Sequence, residues 1–216
     1  MRISNRGKVL LVGACLLAGA AGWAQQSQKL VQKSTVSTDL AITFAGERAQ
    51  ALPGQTSFWF RGGGADAAVT FKSGLGIAAS LTGDRAANYT PGANTNKITY
   101  LIGPRYTWTA WRGNAGVADN RLQIFGQGLF GLTYGFNGIY PATPISNSNS
   151  NSSANSLAMQ AGGGLNYYFN RNFGLRVLEA DYVRTALPNG GSNIQNDLRL
   201  SAGFTWHFAS APLRRR

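Results

Sequence analysis

The sequence predicts an all-β fold: an eight-stranded antiparallel up-and-down transmembrane β-barrel, preceded by a cleavable signal peptide. Three observations carry this. Apolar residues recur with period two along most of the chain, the spacing of a strand with one apolar face. Glycine is abundant, 28 of 216 residues, and charged residues make up only 13%, about half the usual ~25%. Such a composition disfavours helix-rich folds and coiled coils, because glycine is poor in helices. It also disfavours a disordered chain, which carries more charge and fewer aromatics. Finally, the opening residues have the anatomy of an export signal.

Arg2, Arg6 and Lys8 give that signal a positive start, and Val9 to Ala21 is its apolar run. Gly22-Trp23-Ala24 places small residues at the two positions that signal peptidase reads, so cleavage is expected between Ala24 and Gln25. The run is too short for a spanning helix, which needs ~20 residues. Val12-Gly13-Ala14-Cys15 is a faint lipoprotein box, but too few apolar residues precede Cys15 and Leu16-Leu17-Ala18 continue the run beyond it. Cys15 is the only cysteine. With the signal removed, the chain has no disulfide and no thiolate nucleophile. The expected organisation is a signal peptide at 1–24, a periplasmic lead at 25–36, a barrel at 37–208 and a basic tail at 209–216.

The strands follow in order. Leu40-Ile42-Phe44 marks the first, Ala65-Ala67-Val69-Phe71 the second and Leu75-Ile77-Ala79-Leu81 the third. Ile98, Tyr100, Ile102, Tyr106 and Trp108 alternate with Thr99, Gly103, Arg105 and Thr107 in the fourth. The fifth sets Leu122, Ile124, Phe130, Leu132, Tyr134 and Phe136 against Gln123, Gln127, Gly131 and Thr133, with Gly126 and Gly128 on the apolar parity. In the sixth, Leu157, Met159, Ala161, Leu165, Tyr167 and Phe169 alternate with Gln160, Gly162, Gly164 and Asn166. The seventh, 173–186, has adjacent apolars at Val177-Leu178, and the parity changes there. A β-bulge adds one residue and shifts the facing, which puts Arg176, Glu179 and Asp181 together on the polar face. The eighth is the clearest: Leu198, Leu200, Ala202, Phe204, Trp206 and Phe208 oppose Arg199, Ser201, Gly203, Thr205 and His207.

Alternation alone does not say which face meets water. The polar parity is rich in Gly, Ser, Thr, Gln and Asn with isolated charges, which suits a narrow interior that must be filled. Tyr106, Trp108, Trp111, Tyr167, Phe169, Phe173, Trp206 and Phe208 fall at one end of the strands. Phe58, Trp59, Phe60, Tyr134, Phe136 and Tyr182 gather toward the other, as two bilayer interfaces select. The links near 48–63, 85–96, 137–155 and 187–196 are expected to be long, and those near 73–74 and 170–172 short. The 112–119 link is a departure from that rule. In hydrocarbon an open sheet edge is too costly, so the sheet should close. Segments of about 9–13 residues suffice, since a tilted spanning strand needs ~9–11.

On these residues the chain resembles the small eight-stranded outer-membrane β-barrels of Gram-negative bacteria, the outer-membrane protein A or X type, from about Ser37 to Phe208. Leu198, Leu200, Phe204, Trp206 and Phe208 resemble the terminal-strand signal that such proteins present to the barrel-assembly machinery, although here the chain continues to Arg216. The resemblance implies residence in the outer membrane as part of the cell envelope.

Candidate chemistry is sparse. No cofactor, metal ligand set or catalytic group is expected. Small lipid-modifying barrels that resemble this fold use a His with a Ser and an acid on the outer surface. His207, the sole histidine, lies at the opposite end, and Ser201 is roughly 20 Å away at ~3.3 Å per residue. A nucleophile–base pair needs ~2.6–3.2 Å. Arg105, Arg176, Glu179, Asp181 and Arg199 are expected to form a charge network in the lumen, either as a structural plug or, on a sharper reading, as a small ion pathway. Gly62-Gly63-Gly64 and Gly162-Gly163-Gly164 lack the lysine and helix of a phosphate loop. They are expected to permit close strand approach or to make room for an aromatic ring. Ser146 to Ser156 reads as a mobile surface loop.

The formal charge of +12 falls to 12 − 3 = +9 once the signal leaves. Its excess is scattered over Lys29, Lys33, Arg48, Arg61, Lys72, Arg85, Lys97 and the terminal Arg214, Arg215 and Arg216. Nucleic-acid binders cluster such residues on one face, so no nucleic acid is expected. The expected partners are outer-membrane lipids and lipopolysaccharide, the latter through Arg48, Arg61 and Arg85, with the barrel-assembly machinery during biogenesis. The leading function is a monomeric, non-enzymatic barrel with a structural or surface-interaction role. The alternatives are an outer-membrane barrel enzyme acting on lipid and a secreted soluble β-sandwich or lipocalin-like binding protein.

Overall fold

The computed structural model describes residues 36–49, 57–90, 93–111, 122–141, 150–189 and 193–209. The expected signal peptide, the lead up to residue 35, Lys29 and Lys33, residues 112–121, and the tail from 210 with its three arginines lie outside these residues. Eight strands form: β1 (Ser37–Ala49), β2 (Phe58–Thr70), β3 (Leu75–Thr90), β4 (Ala93–Trp111), β5 (Leu122–Pro141), β6 (Ser150–Tyr168), β7 (Phe173–Thr185) and β8 (Gln195–Ala209). They pair antiparallel in chain order, and β8 returns to β1, so the sheet is a closed barrel.

The registers fix its geometry. Hydrogen-bonding neighbours can be followed once around the wall, from Ser37 through Thr70, Gly76, Arg105, Gln127, Gly162, Asp181 and Arg199 to Glu47. The path re-enters β1 displaced by 47 − 37 = 10 residues. Ten residues at ~3.4 Å, set against eight strands ~4.8 Å apart, tilt the strands by roughly 40°. An eight-stranded wall leaves an interior just wide enough for side chains.

The apolar parity faces outward. Phe44, Ile102, Phe130 and Leu157 are exposed, while the opposite parity is buried. This arrangement overturns the soluble-sandwich alternative: the sheet closes, and its apolar side faces the surroundings. A small apolar layer, Ala68, Ala78, Leu101, Leu129 and Ala158, crosses the interior, so the lumen is not lined by polar groups alone. Two turns close the barrel at one end, 71–74 and 169–172. In the first, Gly74 adopts φ +88° and its carbonyl accepts the Thr107 amide at 2.7 Å. A side chain there would be strained by φ and would collide with the Thr107 carbonyl.

Several expectations are corrected. The strands are 13–20 residues long, longer than the pattern suggested. No long link spans 85–96, because β3 runs to Thr90 and β4 begins at Ala93. Half of the Ser/Asn tract is strand rather than loop: Ser150 to Ser156 pairs with β5, and 146–149 lies outside the described residues. Beyond the hydrocarbon both faces of a strand meet water, so alternation stops although hydrogen bonding continues. Phe60 does not join the outer aromatic belt. It points inward at 7% exposure and packs with Ala49 and Ala86.

The lengthened strands leave a protrusion. The β2–β3 pairing ends at Arg61↔Arg85, five residues before β3 does, at Thr90. The β6–β7 pairing reaches only Ala158↔Thr185, while β6 starts at Ser150. Strands β3 to β6 thus rise above their neighbours as a four-stranded sheet.

Candidate functional site

The interior holds two ionic clusters and a histidine pair. Toward the long-link end, the Glu47 carboxylate pairs with the Lys97 ammonium and lies 3.4 Å from Arg199. Arg199 also pairs with Asp84 at 2.7 Å, and Asp197 lies 3.8 Å from Lys97. The inward ring of Phe60 sits 4.5 Å from the Lys97 ammonium. An ammonium over an aromatic face gains from the ring quadrupole when water is excluded.

Nearer the short turns, Arg176 pairs with Asp66 and, at 2.8 Å, with Glu179. Arg105 donates to Gln127 at 3.0 Å, and Gln127 donates to Glu179 at 2.8 Å. Ser201 donates to Glu179 at 3.1 Å. The Phe125 ring carries a guanidinium at 4.3 Å from Arg105 and another at 4.7 Å from Arg176. A bulge makes this cluster. Asn166 pairs with Arg176 and Leu165 with Leu178, which leaves Val177 as the extra residue. Arg176, Glu179 and Asp181 consequently all face inward.

The structure therefore places Arg105, Arg176, Glu179, Asp181 and Arg199 inside but not in one network. The first three share the cluster near the short turns, and Arg199 belongs to the other. Asp181 lies opposite Arg199 across β7–β8, with a carboxylate oxygen over Gly162. The two glycine triplets have matching roles. Gly62 is opposite Asp84 and Gly162 opposite Asp181, and a Cβ at either would run into the facing carboxylate and backbone carbonyl. At Gly164 a Cβ would meet the Phe125 ring at 2.9 Å. The triplets thin the wall where inward charges and that ring must fit.

At the short-turn end, Asp39 accepts from Tyr168 at 3.2 Å and lies 2.6 Å from His207 Nδ1. The His207 ring also packs edge-on against Tyr168 at 5.5 Å between centroids. An acid does meet the histidine, but Ser201 is engaged by Glu179, and no serine completes the pair among the described residues. Among those residues no group of three or more metal-ligating side chains occurs.

Reading the sequence as isolated inward charges missed Asp39, Glu47, Asp66, Asp84, Lys97 and Asp197. Lys97 is also corrected, since it is a buried ion-pair member and not part of the surface excess. Parity was the available signal, because each of the six stands opposite the apolar parity of its own strand. All seven carboxylate side chains of the described residues, Asp39, Glu47, Asp66, Asp84, Glu179, Asp181 and Asp197, are buried. Outward there are only cations: Arg48, Arg61, Arg85 and Arg184 on the walls, Lys72 and Arg171 at the turns. Arg61 and Arg85 are direct partners across β2–β3, and Arg48 lies diagonally across β1–β2. Between them the Trp59 ring lies over Gly46, with 3.6 Å to where a Cβ would stand.

An apolar exterior with a charged, filled interior is the inverse of a soluble barrel, and solved structures share it. Ail, the attachment invasion locus protein of Yersinia pestis, matches with a TM-score of 0.51 at 17% identity, covering 80% of this chain and 98% of that one. Neisserial surface protein A matches with a TM-score of 0.54 at 14% identity, covering 82% and 100%. The chain has an outer-membrane β-barrel fold. A further match, with a TM-score of 0.51, 17% identity and coverage of 80% and 99%, is Ail in complex with the heparin analogue sucrose octasulfate. No family model and no curated protein sequence matches the chain.

The terminal-strand residues Leu198, Leu200, Phe204 and Phe208 are exposed on the outer wall of β8, with Trp206 half-buried among them. Phe173 links this row to β7, stacked on Phe204 at 5.9 Å and tilted against Trp206 at 5.7 Å. Trp108, Tyr106 and Phe169 are likewise exposed toward the short turns, as are Trp59, Tyr134 and Tyr182 toward the other end.

Proposed function

We propose that this chain is a non-enzymatic, monomeric β-barrel of the bacterial outer membrane, with a structural or surface-interaction role at the cell envelope, and that its basic rim holds lipopolysaccharide. The single observation that carries this is the segregation of charge. Every described carboxylate is inside, and the outer wall bears cations alone, above an apolar band. Arginine is the side chain suited to phosphate, through its planar fork of donors, and Arg48, Arg61 and Arg85 share one patch. The interior charges act as a plug rather than an ion pathway, since side chains fill the lumen in two paired clusters. The β8 row from Leu198 to Phe208 is what the barrel-assembly machinery reads. A signal peptide cleaved between Ala24 and Gln25 delivers the chain for export.

The test replaces Arg48, Arg61 and Arg85 together with Gln. The expected result is weaker lipopolysaccharide binding and a more permeable outer membrane. Unchanged binding and integrity would overturn the lipid contact. Sucrose octasulfate serves as a competitor, because the same cations also suit a sulfated glycan. Displacement of a fluorescent polysulfate from the wild type, at affinities that exclude lipid A, would favour that second reading.

A further inference from the structure

We propose that the free edge of β6, from Ser150 to Ser156, pairs antiparallel with the same edge of a second copy of this chain rooted in a facing membrane. The inference rests on the membrane seating above but not on the lipopolysaccharide contact. Its basis is backbone hydrogen bonding. Strand β6 pairs with β5 as far as Ser150, whereas the described pairing with β7 stops at Ala158↔Thr185, followed by one amide, Ala186, donating to the Leu157 carbonyl at 3.1 Å. On an antiparallel strand a residue's N–H and C=O point to the same side, and successive residues point to opposite sides. The Leu157 carbonyl is directed at β7. The amides and carbonyls of Asn151, Ser153 and Asn155 therefore point to that side too, where no described strand meets them.

Natural sheets blunt such edges with lysine, proline, bulges or inward charges. Ser150-Asn151-Ser152-Ser153-Ala154-Asn155-Ser156 has none of these. It is an uncharged, small-residue strand in a protein whose other exposed walls carry cations. Two copies of the basic rim would repel, whereas two copies of this edge do not. The near-uniform Ser/Asn sequence specifies register weakly, so it matches itself in several alignments and does not demand a particular foreign sequence.

Symmetry then chooses the arrangement. Two identical edges pair antiparallel about a two-fold axis perpendicular to the strands. Both β6 strands start at the outer tip and run toward their own membrane. The antiparallel pair therefore sets the two membranes on opposite sides of the contact. Each contact is short and weak by itself, and many copies on two apposed surfaces make it effective through multivalency.

The experiment mixes two populations of vesicles, each carrying the untagged full barrel and one of two fluorophores, and follows clustering by energy transfer. The wild type is expected to cluster. The double variant Ser153→Pro/Asn155→Pro removes two free-edge N–H groups while sparing the ladder to β5, since edge strands accept proline on the solvent side. It is expected to cluster at least tenfold more slowly. If that variant lacks the heat-dependent gel shift of a folded barrel, Ser153→Lys/Asn155→Lys replaces it with the same expectation. The Arg48, Arg61 and Arg85 triple Gln variant should cluster as the wild type does, which separates this proposal from the lipid contact. Failure of the wild type to cluster, equal clustering by the edge variants, or cross-linking confined to one vesicle would overturn it.

Discussion

Arg61 stands directly opposite Arg85 across the β2–β3 pair, and both side chains are exposed on the outer wall. Like charges in that position repel by roughly 0.2–1 kcal/mol, and no described carboxylate shares that wall to relieve them. In bilayers of zwitterionic phospholipid, Arg61→Gln should therefore stabilise the barrel slightly against urea. In bilayers containing lipid A the sign should reverse. An equal effect in both would mean that no phosphate sits between the two arginines.

Glu47 holds two cations, Lys97 and Arg199, in an interior with little water. Removing one member of a buried pair leaves uncompensated charge and costs about 3–5 kcal/mol. Glu47→Gln should lower unfolding free energy by that order, and adding Lys97→Met should recover part of it. Two additive losses in the double variant would show that the pair is not coupled.

The glycine triplets invite a paired comparison. Gly162→Ala drives a methyl into the Asp181 carboxylate and the Ala180 carbonyl, whereas a methyl on Gly128 meets nothing within 4 Å. Overpacking of this kind costs ~1–3 kcal/mol. Gly162→Ala should destabilise by that amount and Gly128→Ala should be near neutral, as read from unfolding midpoints in vesicles.

Much of this was legible beforehand. The period-two rows located every strand, because each strand's membrane-spanning portion has one lipid face and one packed face. The parity change at Val177-Leu178 predicted the bulge. The ion-pair partners were not legible, since Glu47–Lys97 and Asp66–Arg176 join strands distant in sequence through registers that alternation does not encode. Phe60 misled because its apolar character matched its neighbours Phe58 and Trp59. Only its place opposite Glu47 shows that it faces inward. The polar start of β6 had no pattern to read, because water on both sides imposes none.

Phe125 provides a further comparison. Its ring is flanked by two guanidinium groups, each contact worth ~0.5–2 kcal/mol when desolvated. Phe125→Leu should cost about 2 kcal/mol or more, whereas Phe130→Leu, on the exposed outer face, should cost little. Equal losses at the two sites would indicate that only ring burial matters.

The bulge at Val177 sets what lengths this wall tolerates. Val177 and Leu178 together face the single residue Ala202 across β8, so one additional residue is absorbed without turning the charged side chains outward. Deleting either one, with β7 otherwise paired as now, would exchange the faces of the strand from Phe173 to Arg176 and aim a guanidinium at hydrocarbon. A cation on the lipid face of a barrel costs ~2–4 kcal/mol near the midplane, in addition to the two carboxylates left alone. For this chain, then, losing one neutral valine is comparable to misplacing a charge. Natural length variation should accordingly fall in the links between strands and not within them.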